Sequence, residues 1–268
     1  MSVSYSQAPL VEIVAELRWG PLGRDVGVKS ATSAIPFSLS GQKDEQVYLN
    51  FAALVAQLGY ARAERLVQPG FPVFPSQVVC RFRPSDVSNL SPLYQIGSGV
   101  FSANAVPPNY SSWSDFSPVV RSGIESVVEA FKRSGDDLPV FSEAVVRYID
   151  VFEDRLTDGR SVLEFLTEVL GFTFQLPPAL KSLQKDSRAV VPHIQLQIET
   201  DIGMLGVAVG HAKKNGADGV LLDSTMTIRR EMGSDVDVAL QALTDSRGVI
   251  HEMFRGLTEK LHERMGPK

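Results

Sequence analysis

An α+β fold is predicted for this chain of 268 residues: a mainly antiparallel sheet with amphipathic helices packed on one face. Three observations predict it. Short segments with period-two hydrophobicity recur along the chain, two long segments repeat apolar residues every three or four positions, and sheet precedes helix in each half.

The first strand is "PLVEIVAELRW". Val11, Ile13, Ala15, Leu17 and Trp19 fall on one side of an extended chain, and Glu12, Glu16 and Arg18 on the other. Residues 20–43 are rich in Gly, Ser and Pro without a sustained period, which predicts a loop. In residues 45–58, Val47, Phe51, Leu54, Val55 and Leu58 stand at helical spacing and Gly59 follows as a stop. "VQPGFPVFP" interrupts regular structure, and "QVVCRFR" then reads as a strand with Val78, Cys80 and Phe82 on its apolar side.

The stretch "LYQIGSGVFSANAVPPNYSSWSDF" sets two glycines two positions apart before a helix. A phosphate cradle needs its glycines to run straight into the helix N-terminus, and here "VPPNY" intervenes. Gly97 and Gly99 therefore predict a bulge or a close backbone approach within or between strands. The helix itself begins with Ser114 or Ser112 as N-cap, Trp113 as a hydrophobic staple and Pro118 in or near the first turn. Trp113, Phe116, Val120, Ile124, Val127 and Phe131 step along one face of it.

"EAVVRYIDVFED" predicts a strand that is apolar on both faces and hence central. Ser161 and Glu164 stand at capping-box spacing and open a short helix ending at Gly171. Pro177, Pro178 and the polar run after them make 172–189 the domain boundary, dividing the chain into sheet-plus-helix halves, 1–171 and 190–268, that can share one core. The second half opens with "HIQLQIET", its Ile194, Leu196 and Ile198 on one face, and continues as a three-stranded meander turning at Asn215–Gly216. The end of the chain is helical, with Gly248 and Gly256 as soft spots.

With 44% hydrophobic residues the chain has material for a buried core, and a net charge of −5 gives no overall attraction to nucleic acid or anionic membranes. One cysteine, Cys80, excludes an intrachain disulfide framework. The N-terminal apolar residues are interleaved with charge, unlike a signal peptide, and no apolar run approaches the roughly 20 residues of a membrane span. A cytoplasmic protein is expected.

The segments "PLVEIVAELRW", "GFPVFPSQVVCRFRP", "LYQIGSGVFSANAVPPNYSSWSDF", "VVRYIDVF" and "IHEMFRGLTEKLHERMGP" together resemble a sporadically distributed family of bacterial proteins of this size that carries no assigned activity. The resemblance covers most of the chain and is loosest over 20–43. Its patchy distribution implies an accessory role, in defence, stress or a mobile element.

No catalytic motif stands out. His193, His211, His251 and His262 are dispersed, so no metal site is expected, and no G-x-S-x-G elbow or cationic neighbour activates a nucleophile. No cofactor is implied. Glu12 and Glu16 serve as partners for Arg18 and nearby arginines more readily than as an acid/base pair. Two features favour binding. One is the polar face Gln195, Gln197, Glu199, Asp223, Thr225 and Thr227; the other is the aromatic and proline-rich corner Tyr94, Pro107, Pro108, Tyr110 and Trp113.

The leading expectation is a non-enzymatic interaction protein that works through a protein partner or self-association, its terminal helix suited to docking. The alternative is a small-ligand-binding protein or enzyme with a site between sheet and helices, drawing on Tyr94, Tyr110, Trp113, Arg147 and Asp150. A nucleic-acid surface of Arg81, Arg83, Lys213 and Lys214 is the third and least favoured.

Overall fold

The computed structural model describes residues 5–20, 38–39, 42–185, 190–214 and 216–267. Most of the loop predicted over 20–43, residues 186–189 of the predicted boundary and Asn215 of the predicted turn lie outside the described residues.

The chain begins with β1 (Leu10–Trp19), β2 (Ser38–Leu39), α1 (Gln42–Gln57), β3 (Arg62–Arg65), β4 (Pro72–Val73), β5 (Val78–Arg83), β6 (Leu93–Gly97) and β7 (Val100–Ala105). It continues with α2 (Trp113–Ser134), β8 (Phe141–Phe152), α3 (Asp154–Thr157), α4 (Val162–Glu164) and α5 (Pro178–Lys181). Last come β9 (Ile194–Thr200), β10 (Gly203–Lys214), β11 (Ala217–Gly233), α6 (Val236–Leu257) and α7 (His262–Met265). Nine strands form one antiparallel sheet in the order β3-β5-β6-β7-β1-β8-β11-β10-β9, and β2 pairs with β4. The fold is α+β, and the doubly apolar β8 is indeed an inner strand.

Two compact units result, and neither is continuous in sequence. One comprises Met1–Ile13, Arg147–Met226 and Arg247–Lys268; the other comprises Val14–Val146 and Thr227–Ser246. The expected halves, 1–171 and 190–268, divide the chain differently. The reason is that β1, β8, β11 and α6 each run through both units, so the division falls within elements and not at the Pro177–Pro178 loop.

In the unit built on β5, β6 and β7, Gly97 pairs with Val100 across the two-residue turn Ser98–Gly99. Gly99 takes a φ of 69°, which favours glycine. Its carbonyl accepts from Trp19 N at 3.0 Å, and a Cβ there would strike the Trp19 carbonyl oxygen. A Cβ on Gly97 would strike the carbonyl of Gln77, next to the point where the β5·β6 register shifts between Val78 and Cys80. Both glycines thus serve a bulge and close backbone approach, and no helix starts there to cradle a phosphate. Replacing Gly97 with Ala is expected to cost about 1–3 kcal/mol in urea unfolding, because the obstacle is backbone and must move. Gly248→Ala supplies the contrast: nothing lies within 4 Å of its added Cβ, so it should gain roughly 0.5–1 kcal/mol from helix propensity.

Of the two candidate caps for α2, Ser112 is the one used: its hydroxyl accepts from Asp115 N at 3.2 Å. Trp113 is consequently the first helical residue and not a staple in front of the cap. Pro118 lies past the first turn; both it and Ser114, whose carbonyl loses its helical partner, are exposed, so water can take the place of the lost bond. The helix ends at Gly135, φ 74°, with Asp136 N donating to Phe131 O at 3.3 Å. Its buried stripe follows the predicted one through Trp113, Phe116, Val120, Ile124 and Val127, while Phe131, expected at its end, is half-buried. Gly123 was not anticipated. A Cβ there would press on the rings of Phe101 and Tyr94, so this glycine sets how closely α2 packs on the strands.

In the other unit the Ser161–Glu164 capping box forms as predicted, with Ser161 N donating to Glu164 Oε2 at 2.7 Å. The helix it starts is brief, since α4 passes into a π-helical turn over Phe165–Val169. Phe152 is fully buried there, its ring centroid 5.1 Å from Phe165 and 6.4 Å from Phe254. Strands β9, β10 and β11 follow one another across the sheet as the predicted meander. The terminal helix breaks after Leu257 into a 3-10 turn and then α7, close to the soft spot Gly256.

Candidate functional site

Tyr94, Tyr110 and Trp113 all belong to the unit containing α2. Tyr94 is only 1% exposed; its hydroxyl donates to Val119 O at 2.7 Å, and burial pushes its pKa up. Its ring lies 4.4 Å from Tyr60, 5.9 Å from Phe101 and 6.3 Å from Phe51, centroid to centroid. It is a core residue with its polar end already engaged. Trp113 is buried as well, and its Nε1 donates to Thr244 Oγ1 at 3.2 Å. Half-buried Tyr110 meets Phe116 edge to face at 5.7 Å. The aromatic corner therefore divides between helix packing and the core, instead of presenting one flat surface.

Arg147 and Asp150 lie in the other unit, near each other on β8 yet in opposite circumstances. Arg147 is exposed and grips Asp223 with two hydrogen bonds, Nε to Oδ1 at 2.8 Å and the second between NH2 and Oδ2. Asp150 is buried, and among the described residues no donor or cation engages its carboxyl. Burial first, and the negative charge of Asp223 second, push its pKa from 3.8 to about 8. This carboxyl is consequently neutral at pH 7. A carboxylate among apolar residues in "RYIDVF" was visible in the sequence; that its neighbouring arginine would be committed to a different aspartate was not.

Other charged groups lie in ion pairs, most of them between strands. Glu143 of β8 joins Arg18 at 2.7 Å and Arg229 at 2.8 Å, and Glu16 joins Arg18 at 2.6 Å, the role expected for Glu16. Arg81 meets Glu64 at 3.3 Å, and Lys214 meets Glu153 at 2.8 Å. Of the basic residues expected for a nucleic-acid surface, Arg81, Lys213 and Lys214 thus have carboxylates beside them, while Arg83 donates to the Leu90 carbonyl at 3.2 Å. Burial raises the pKa of the Cys80 thiol, the wrong direction for a nucleophile. Among the described residues no three metal-ligating side chains converge. His251 has a buried Nε2 without a hydrogen-bond partner, and desolvation with Arg247 and Arg255 nearby lowers its pKa to about 4.

The two outer strands of the sheet differ sharply. β3 is four residues long, "RAER", and its charges are spoken for: Arg65 binds Glu45 at 2.6 Å and Glu64 binds Arg81. It is a blunted edge. β9 is seven residues long, "IQLQIET", with neither lysine nor proline. Its Ile194, Leu196 and Ile198 pair with Val209, Val207 and Leu205 of β10, so they share a face with those three residues. The β10 residues are buried, whereas Leu196 is 37% and Ile198 46% exposed. The apolar layer thus runs past the last covered strand and stops in the open. Alternation predicted the shared face correctly but implied its burial, and that part is corrected by the position of β9 at the edge. Gln195, Gln197 and Glu199 are exposed, and Asp223, Thr225 and Thr227 are half-buried.

No helix among the described residues is long and apolar enough to cross a membrane. No family model, curated protein or solved structure matches the chain, so the family resemblance rests on the residues quoted for it.

Proposed function

We propose that this is a non-enzymatic interaction protein of accessory role, acting through a protein partner or self-association, with β9 as its docking strand. One observation carries the reading. The row Ile194, Leu196 and Ile198 continues the buried row of β10 into an exposed edge that has none of the blunting present on β3. An edge of that kind offers backbone hydrogen-bonding groups and apolar side chains together, which is what strand addition requires.

Native mass spectrometry of the protein purified gently from its own cells tests this. The wild type should appear as an oligomer or with a bound protein, and Ile198→Lys should remove most of the associated species. A bare monomer for the wild type, or association unchanged by Ile198→Lys, contradicts the assignment to β9.

Asp150 supports a second reading, a small-ligand-binding protein or enzyme. A buried carboxyl that is neutral at pH 7 is a proton source of the kind catalytic sites tune. On that reading a small-molecule adduct accompanies the monomer and is lost from Asp150→Asn.

A further inference from the structure

Resting on the interaction reading of β9, we infer that the occupant of this edge is a second copy of the same chain, whose β9 pairs antiparallel with the first about a two-fold axis at Gln197. The strand is its own complement in that register. A seven-residue strand has its midpoint at Gln197, so this register pairs all of Ile194–Thr200 and no other register does. Gln197 then faces the partner's Gln197, Leu196 faces the partner's Ile198, and Ile194 faces the partner's Thr200.

Residues directly opposite in an antiparallel pair lie on the same face, so the two apolar rows merge into one strip. Continuity with the core supports the same occupant. The strip begins as the buried Val209, Val207 and Leu205 of one copy and would end as the same three residues of the other. Each exposed row would lie between its own buried row and its partner's.

The charges agree with this arrangement. Glu199 falls opposite the partner's Gln195, and His193 falls opposite the partner's Asp201, so no like charges meet. A parallel pairing in register would instead set Glu199 beside the partner's Glu199. The interface is isologous, and it closes at two copies because each chain spends its β9 edge in forming it; the remaining edge, β3, is the charged and blunted one.

Sedimentation velocity on the purified full-length chain at micromolar concentrations tests the inference, together with two cysteine variants. The wild type should sediment as a dimer and Ile198→Lys as a monomer with an unchanged circular dichroism spectrum, since Ile198 is already exposed and tolerates the charge. Gln197→Cys should form a disulfide-linked dimer under mild oxidation, because facing Cα atoms in a strand pair lie about 4.5–5.5 Å apart, within the range a disulfide spans. Thr200→Cys should not, its partner-chain counterpart being six positions away along the strand. Native Cys80 is buried and common to both variants.

A dimer that survives Ile198→Lys, or in which Thr200→Cys cross-links as readily as Gln197→Cys, overturns this pairing. A wild-type monomer also overturns it. Such a monomer leaves the broader reading standing only if the protein from its own cells carries a different protein that Ile198→Lys releases; a monomer bare in both preparations defeats the two together.

Discussion

Asp150→Asn should make the protein more stable at pH 8 and flatten its stability between pH 6.5 and 8. In the folded chain the carboxyl titrates near 8 and in the unfolded chain near 3.8. Across that window the folded state holds a proton that the unfolded state has released. The stability it contributes is full below about pH 4 and falls as pH rises toward 8, at a limiting slope of about 1.4 kcal/mol per pH unit. His251 works in the opposite sense. Its folded value is lowered from 6.5 to about 4, so its contribution is lost as pH falls through that interval. Solvent around the half-exposed ring screens its charge, so its total contribution is the smaller of the two.

Between pH 4 and 6.5 the two effects oppose, and above 6.5 Asp150 acts alone. Urea unfolding should therefore show the wild type losing about 2 kcal/mol from pH 6.5 to 8. Asn keeps the shape and polarity of the protonated carboxyl without its ionisation, so the variant should lose little over the same range. An equally steep fall in Asp150→Asn would show that the slope arises elsewhere.

Phe51→Ala should cost about 3–5 kcal/mol, the largest loss expected from a single side chain in the unit that holds α1. Phe51 is fully buried, and its ring sits 5.3 Å from Phe82, 6.0 Å from Phe101 and 6.3 Å from Tyr94. Truncation removes apolar burial and leaves a cavity among three rings, two of which, Phe101 and Tyr94, are wedged against α2 at Gly123 and cannot easily collapse into it. Leu49→Ala on the same helix should stay within about 0.5 kcal/mol, since Leu49 is 63% exposed. Chemical denaturation of both variants measures the difference. Similar losses would mean that burial in α1 does not decide its contribution.

These two residues also mark how far the site and the fold could be read in advance. Phe51 lay on a visible helical stripe, and its helical setting needed only spacing. The polarity of Asp150 was equally visible, but its raised pKa depends on the surroundings β8 acquires as an inner strand, which involves residues far apart in sequence. Arg147, expected in the same site, falls on the opposite face of the strand by alternation, and the cross-strand placement of Asp223 gives its guanidinium another carboxylate. Tyr94 was grouped with Trp113 by proximity in sequence, whereas strand alternation turned its ring into the core beneath α2.

By itself the sequence determined what depends on a few neighbouring residues. The Ser161 capping box, the Gly171 stop, the stripe of α2 and the order β9–β10–β11 are local. Each follows from sterics and hydrogen bonding within one or two turns or one hairpin. Only the tertiary structure decided that β1 lies between β7 and β8, that the compact units cut across chain order, and that β9 has no neighbour beyond it among the described residues. Period-two hydrophobicity states which side chains share a face of a strand. Whether that face is covered depends on where the strand stands in the sheet, and this is set by pairings between distant segments that no local pattern encodes.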